Sequence, residues 1–381
     1  MSETISQLPT TGGAPFLGDA VPITHGWNGA STGNTYAYTV AKLLSAGGYI
    51  YAGDPAYGVR ADGATDDTSA WTSAFNAAFN ASACVIAPLG VSLVSSLEVP
   101  SGVSIMGQAP GSTTGSGFLT GGSVISASSG TAPGVTLDAW SALRGVTIDG
   151  SGSQPCVYSS AGYNRLEDCT LFGGSSGVLF AGADGGSSIE LCRIHDCGTA
   201  GILNAHQVTV ESSYITNCGS GVVMTSSNNS LRMSNTRIEQ STNYGITADG
   251  PSGILLATTV IDNSGKNAIK FHAVSGSTIT GCSFNRSGQG QVGSPGVTDD
   301  SHLYLQACDG VIITGNTSRT GSSTGYIGPF WAVYDGGSNV HSLIGFNGLT
   351  YHNNAGSQTS GPINIGSTFN LASAQNQTWW S

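Results

Sequence analysis

The chain carries little charge. Asp, Glu, Lys and Arg make up 9% of its 381 residues, and 22 acids outnumber 11 bases for a net charge of −11. Binding to nucleic acid or to an anionic membrane surface rests on clustered Lys and Arg, so neither is expected as a partner. An acidic polysaccharide is not excluded, because a few cations gathered in one groove would meet it. No run of about 18 apolar residues occurs, so no membrane insertion is expected. The opening Met1-Ser2-Glu3-Thr4-Ile5-Ser6-Gln7 lacks the basic and apolar stretches of a Sec signal peptide. The eight cysteines show no C-x-x-C spacing, which leaves buried, reduced thiols as their reading. No metal and no cofactor is expected.

What is plentiful is glycine, 57 residues, in company with Ser, Thr and Asn. That composition excludes a helical protein and fits an all-β fold with many turns. Much of the chain is a repeat. The apolar anchors Ile148, Leu171, Ile194, Ile215, Ile238, Ile261 and Phe284 are spaced by 23, 23, 21, 23, 23 and 23 residues. Each unit also carries a small residue followed by an apolar one (Gly177-Val178, Gly201-Ile202, Gly221-Val222, Gly245-Ile246, Ala268-Ile269). A third apolar position precedes each anchor by five: Leu166, Ile189, Val210, Met233, Leu256, Ile279. Runs of three to five residues are too short for helices and right for strands. No unit buries its apolar side chains alone, but stacked coils about 4.8 Å apart make a continuous core. Three strands per coil predicts a right-handed parallel β-helix, an all-β solenoid. Two residues before each anchor stand Cys169, Cys192, Ser213, Thr236, Thr259, Cys282 and Asn316, expected to stack inside and satisfy one another.

Residues 1–50 form a small N-terminal arm, expected to hold a turn, a short strand and, over Tyr38–Leu44, a short helix. Its first lines resemble the N-terminal segments of phage tail fibres and tailspikes, which implies docking to a tail or baseplate protein. Within 51–83 comes the tract Ala56-Tyr57-Gly58-Val59-Arg60-Ala61-Asp62-Gly63-Ala64-Thr65-Asp66-Asp67-Thr68-Ser69-Ala70-Trp71. It resembles the opening motif of the pectate-lyase-like superfamily, with Val59 and Ala61 departing from the usual Ala and Gly. Asp66, Asp67 and Thr68 suit a helix start, and Trp71, Phe75, Ala78 and Phe79 recur at helical spacing. A capping helix over the open N-terminal end is predicted. The β-helix is expected over 84–355, with a Gly/Ser/Thr-rich loop at 110–134, side loops near 286–301 and 320–338, and a C-terminal tail at 356–381.

A fixed repeat lets outward positions be read as columns. One column holds Asp149, Phe172, His195, Thr216, Glu239, Asp262, Asn285 and Arg319. Glu239 and Asp262 are neighbours in it, the spacing that acid/base pairs of glycoside hydrolysis need; a solvated row of turns is the structural alternative. Glu167, Glu190 and Glu211 form a second column, expected to pair with Arg165 and Arg193. A third, Thr225, Asp249, His272 and Gln306, puts a base beside an orienting carboxylate with Lys270 close by. Asp299 and Asp300, beside His302, are a further acidic pair or simply turn residues. An outward apolar row of Leu179, Leu203 and Val223 suggests a subunit contact.

The whole resembles a short phage tailspike of the pectate-lyase-like superfamily. The resemblance implies a homotrimer on the virion, with that row near the interface, that binds and depolymerises capsule, exopolysaccharide or O-antigen. Under a hydrolase reading, Glu239 and Asp262 act on the bond. His195, Arg237, Arg286, Tyr326, Trp331, Tyr334 and Asp335 then bind sugar, with Trp331 and Tyr334 stacking on its rings. Under a lyase reading, Asp249, His272 and Lys270 are the better set. A non-catalytic receptor-binding tail protein or adhesin, or a secreted polysaccharide enzyme, fits the same scaffold.

Overall fold

The computed structural model describes residues 47–110, 121–128, 130–152, 154–181, 185–225, 230–250, 253–288, 301–319 and 331–345, and the backbone of short strands at 20–24, 35–39, 112–113, 119–120, 348–350, 363–364, 370–371 and 377–379. Short strands run in parallel from coil to coil in three sheets of 13, 11 and 13 strands. Each coil visits them in one order. A leading sheet holds Leu166 and its equivalents, an anchor sheet holds the anchors, and a trailing sheet follows with Val178 and its equivalents.

The anchors lie in one continuous register, Ile148 on Leu171 and so on to Phe284 on Ser318. Every anchor from Ile148 to Phe284 is fully buried. At about 1.5–3 kcal/mol for each large apolar side chain removed from water, this column contributes roughly 10–20 kcal/mol before the entropy of ordering the chain is set against it. Beside it run Cys169, Cys192, Ser213, Thr236, Thr259 and Cys282, all buried. They satisfy one another in part, since Ser213 Oγ, Thr236 Oγ1 and Asn316 Oδ1 accept from the amides of Cys192, Ser213 and Cys282 one coil back. Each of the six also donates to the carbonyl two residues before it, as Ser213 Oγ does to Glu211 at 2.9 Å. All eight cysteines are free thiols.

Each coil turns at two left-handed corners around the anchor sheet. Three residues before the anchor, Asp168, Leu191, Ser212, Asn235 and Thr258 have φ of 51°, 54°, 50°, 47° and 48°, and the later coils use Gly281 and Gly315. Two residues past it stand Asp196, Asn217, Gln240 and Asn263, with φ of 53–57°. The Asn and Gly enrichment between strands is the sequence trace of these corners.

The column Gly177, Gly201, Gly221, Gly245 has a separate cause. A Cβ on Gly221 would lie 2.4 Å from the Gly245 carbonyl oxygen and 2.4 Å from Ile238 Cγ2. Gly221→Ala is therefore expected to destabilise by about 2–3 kcal/mol through overpacking. Gly253→Ala is the control, since a Cβ there meets nothing within 4 Å. Chemical denaturation of the two variants checks the contrast.

The capping helix spans Thr68–Ala81 and buries Trp71, Ala74, Phe75 and Ala78. Phe79, expected on the same face, is 58% exposed. Asp67 occupies the N-cap position, but its buried carboxylate turns back to accept from the Arg60 and Ala61 amides, both at 3.0 Å. The Thr68 amide is met by Asp66 instead, at 2.9 Å. The acidic motif thus folds the chain onto the cap.

Several expected loops contain strands. Ser123–Ala127, inside the 110–134 stretch read as a loop, is a buried strand of the anchor sheet. Trp331–Asp335, read as part of the second side loop, is a strand of the trailing sheet, so that insertion ends before Trp331. The run is short and aromatic, and an irregular spacing hid its place in the repeat. In the arm, Ala20–Thr24 pairs antiparallel with Thr35–Thr39, so Tyr38 and Thr39 close a strand where a helix start was expected. Asp299, Asp300 and Tyr326 lie outside the described residues, as do the side chains of Trp331 and of Trp379 and Trp380 in the tail.

Candidate functional site

On the outer face of the anchor sheet the register sets Glu239 opposite Asp262. Both carboxylates are engaged. Arg286 forms a bidentate clamp on Asp262, with Nε to Oδ1 at 2.7 Å and Nη2 to Oδ2 at 2.6 Å, and the Asp262 side chain is 8% exposed. Glu239 is paired with Arg237 and accepts from the Tyr214 hydroxyl. His195 is buried, stacked on Phe172 at 5.3 Å, and bonded through Nδ1 to Asp196 at 2.6 Å. The face is closed by its own ion pairs. Arg286 is 37% exposed and Asp262 8%, so water shares the charge left behind and Arg286→Ala is expected to cost about 1–3 kcal/mol. The urea midpoint reads that loss, and Arg286→Ala combined with Asp262→Leu should recover much of it.

On the leading sheet, Glu167, Glu190 and Glu211 stack in register. Arg165 bridges the first two at 3.2 and 3.1 Å, and Arg144 reaches Glu167 at 3.5 Å. Glu167 and Glu190 thus form an ion-pair ladder with these arginines. Arg193 lies beside Asp196 instead.

The trailing sheet carries the row Tyr158, Leu179, Leu203, Val223, Thr247, Lys270, Tyr304, Tyr334 on its outer face, each opposite the next. Leu179, Leu203 and Val223 are half-buried within a single chain. Where the row turns polar it forms a cleft of about 490 Å³, lined by Thr247, Asp249, Lys270, His272, Tyr304, Gln306 and Tyr244. Lys270 Nζ lies 5.0 Å from the Tyr244 ring centre and 5.6 Å from that of Tyr304, and donates to the Tyr244 hydroxyl at 3.1 Å. Lys266 Nζ also lies near this tyrosine, 5.1 Å from the Tyr244 ring centre. The negative faces of the two aromatic rings attract the ammonium and position Lys270 in the cleft. Two residues further along the same strands, Asp249 opposes His272, whose Nδ1 bonds to Asp249 Oδ1 at 2.6 Å. That bond fixes the imidazole and leaves Nε2 as the nitrogen available to a substrate.

The cleft brings together the expected Asp249, His272 and Lys270. The expected Tyr334 lies one coil beyond the cleft and stacks on Tyr304, with ring centres 5.7 Å apart. Tyr334 was expected to serve the Glu239 and Asp262 groove, but those acids sit on a different sheet. Asp335 is buried and accepts from the Gly337 amide at 2.7 Å and from the Asn339 side chain, so it shapes a turn. Tyr244 and Tyr304 were missed. Tyr304 falls in the Lys270 column only once the long insertion before it is discounted, and Tyr244 sits just before the Gly245-Ile246 signature. Among the described residues no group of three or more His, Cys, Asp or Glu could hold a metal ion, and no helix is long and apolar enough to cross a membrane.

Comparison with known proteins agrees with this architecture. A family model described as right handed beta helix region matches residues 133–249 and 220–361, more than half of the chain. No curated protein sequence matches the chain. Among solved structures, the A-module of Azotobacter vinelandii mannuronan C-5 epimerase AlgE6 is similar at 15% identity and a TM-score of 0.56, covering 87% of this chain and 99% of that one. The Dettilon tailspike protein is similar at 15% identity and a TM-score of 0.51, over 88% of this chain and 68% of that one. The tailspike protein of E. coli bacteriophage HK620 is similar at 11% identity and a TM-score of 0.54, over 87% and 71%. At these identities the likeness is one of fold.

Proposed function

We propose, from the premise that the chain belongs to the right-handed β-helix family, that it is a tailspike-like protein that binds an acidic host surface polysaccharide and cleaves it by β-elimination in the trailing-sheet cleft. Tailspikes and an enzyme acting at C-5 of mannuronan share its fold, and both support a polysaccharide as the partner. The observation that carries the reading is the meeting, in one cleft, of a lysine held between two tyrosines and a histidine braced by an aspartate.

The chemistry follows from those groups. Lys270 meets the carboxylate of a uronate residue and stabilises the negative charge that grows when C5 loses its proton. His272 Nε2 takes that proton as general base, with Asp249 orienting the ring. The electron pair released at C5 forms the C4=C5 double bond, the C4–O4 bond breaks, and the Tyr244 hydroxyl gives its proton to the departing oxygen. Proton transfer through solvent then resets His272 and Tyr244. Epimerisation begins with the same proton abstraction and differs only in returning a proton to C5.

The Glu239 and Asp262 hydrolase reading is set behind this one because both carboxylates are already held by arginines. A homotrimer in which Leu179, Leu203 and Val223 are covered, mounted on a phage tail through residues 1–50, completes the proposal. Incubation of the full chain with purified uronate-containing capsule tests the reaction. One unsaturated uronate, seen by its ultraviolet absorbance, should appear for each new reducing end. Reducing ends without unsaturation would mean hydrolysis, and neither product would mean binding only or epimerisation.

A further inference from the structure

We propose that the coil corner bearing Trp140 and Tyr163 is a second saccharide site, selective for neutral or amino sugars and distinct from the Lys270 cleft. The inference rests on the polysaccharide reading for its class of partner, but not on the elimination chemistry.

Trp140 and Tyr163 occupy one corner position on adjacent coils, two residues before the register pair Ala142 and Arg165. Their rings are stacked 4.1 Å apart and 3° from parallel, yet they are 62% and 48% exposed. The corner demands a left-handed backbone. Its φ is 76° at Gly102, 63° at Trp140, 63° at Tyr163 and 92° at Gly186. Glycine meets that demand without strain and stands at the two flanking coils, whereas bulky residues adopt it at a cost. The chain therefore bears strain to place two aromatic planes in solvent, where they contribute little to the core.

The flanking glycines shape the platform. A Cβ on Gly186 would lie 2.8 Å from Tyr163 Cδ1, so its absence lets the phenol ring rest on the next coil. At Gly102 a Cβ would meet nothing within 4 Å, so the space beside the outer face of the indole is open. An apolar plane with one open face suits the C–H face of a pyranose ring.

Asp138, two residues before Trp140 in the chain, lines a cleft of about 780 Å³ together with Glu98, Thr136, Ser160, Thr72 and Asn76, with Val99 and Pro100 as its apolar part. Among the described residues its lining contains two carboxylates and hydroxyl and amide groups, with no Lys or Arg. Such walls accept hydrogen bonds from sugar hydroxyls or pair with a sugar ammonium, and they repel a uronate. The two clefts thus have opposite preferences, as the residues of one heteropolysaccharide repeat would require.

Two probe sets separate this site from the first: neutral and amino-sugar oligosaccharides (glucose, galactose, N-acetylglucosamine and glucosamine oligomers) and a polyuronate oligosaccharide. Calorimetric titration of the full chain should show at least one neutral or amino-sugar probe bound. Trp140→Ala should weaken it by roughly tenfold, Trp140→Phe should restore most of the loss, and Lys270→Met should leave it unchanged. The polyuronate should follow the reverse pattern, and its failure alone would count against the Lys270 cleft only. The second site is overturned if no neutral or amino-sugar probe binds. It is equally overturned if Trp140→Ala binds like the parent, or if Trp140→Ala lowers the sedimenting mass, which would make the pair a subunit contact.

Discussion

Replacing Lys270 with Met is expected to lower kcat/KM on a uronate-containing polysaccharide by about two to three orders of magnitude, the loss typical of removing one group that stabilises a developing oxyanion. Met keeps the stem length and its packing between Tyr244 and Tyr304, so the fold should survive. His272→Ala should cost about two to four orders of magnitude as a lost general base, and Asp249→Asn less, since it acts through the histidine. Glu239→Gln separates the two candidate faces. On this account it leaves turnover within a few fold of the parent, whereas a carboxylate-pair hydrolase would lose activity almost completely. Initial rates of product formation on one substrate, with the four variants side by side, decide the matter.

The second large effect concerns stability. His302 is fully buried, and neither ring nitrogen has a hydrogen-bond partner among the described residues. Register places it in the small-residue column, beside Ala268 of the coil before and Ala332 of the coil after. Burial alone drives its pKa from the ordinary 6.5 to about 3. The folded chain therefore keeps this imidazole neutral through a range in which the unfolded chain binds a proton. Stability is full above pH 6.5, falls as pH drops below that value, and goes on falling until about pH 3. Two pH units into the window the loss is about 3 kcal/mol. The acids of the capping motif act lower down. Asp62 is held at about 2, chiefly by the Thr65 amide, and Asp66 is lowered chiefly by the Thr68 side chain, so their contribution is present above the ordinary 3.8 and lost only below it. Urea midpoints between pH 4.5 and 7 should thus slope steeply for the parent and much less for His302→Leu.

The sequence makes most of the tube legible because one coil constrains the next. Ile215 is buried for the same reason as Ile194 and Ile238, and the differences between them count the coil. That same arithmetic pairs Glu239 with Asp262 and Asp249 with His272. It does not say what else touches those side chains. Arg286, one residue beyond the strand, turns onto Asp262 from a left-handed corner with φ of 45°, and nothing in the spacing foretells that. The insertions mark the other limit. They break the count before Tyr304 and before Trp331, so the strand that closes one end of the cleft and the strand stacked on it are hidden from a periodic reading. Trp140 and Tyr163 were invisible for a different reason: no apolar period calls for them, and only the corner geometry brings them together.

The central claim is that the trailing-sheet cleft, and not the anchor-sheet acids, handles the polysaccharide. A crystal structure of His272→Ala with a bound uronate oligosaccharide tests it most directly. The account expects a sugar carboxylate on Lys270 Nζ, with the C5 hydrogen directed at the space vacated by the imidazole. An oligosaccharide lying across Glu239 and Asp262, with the Lys270 cleft empty, would contradict it.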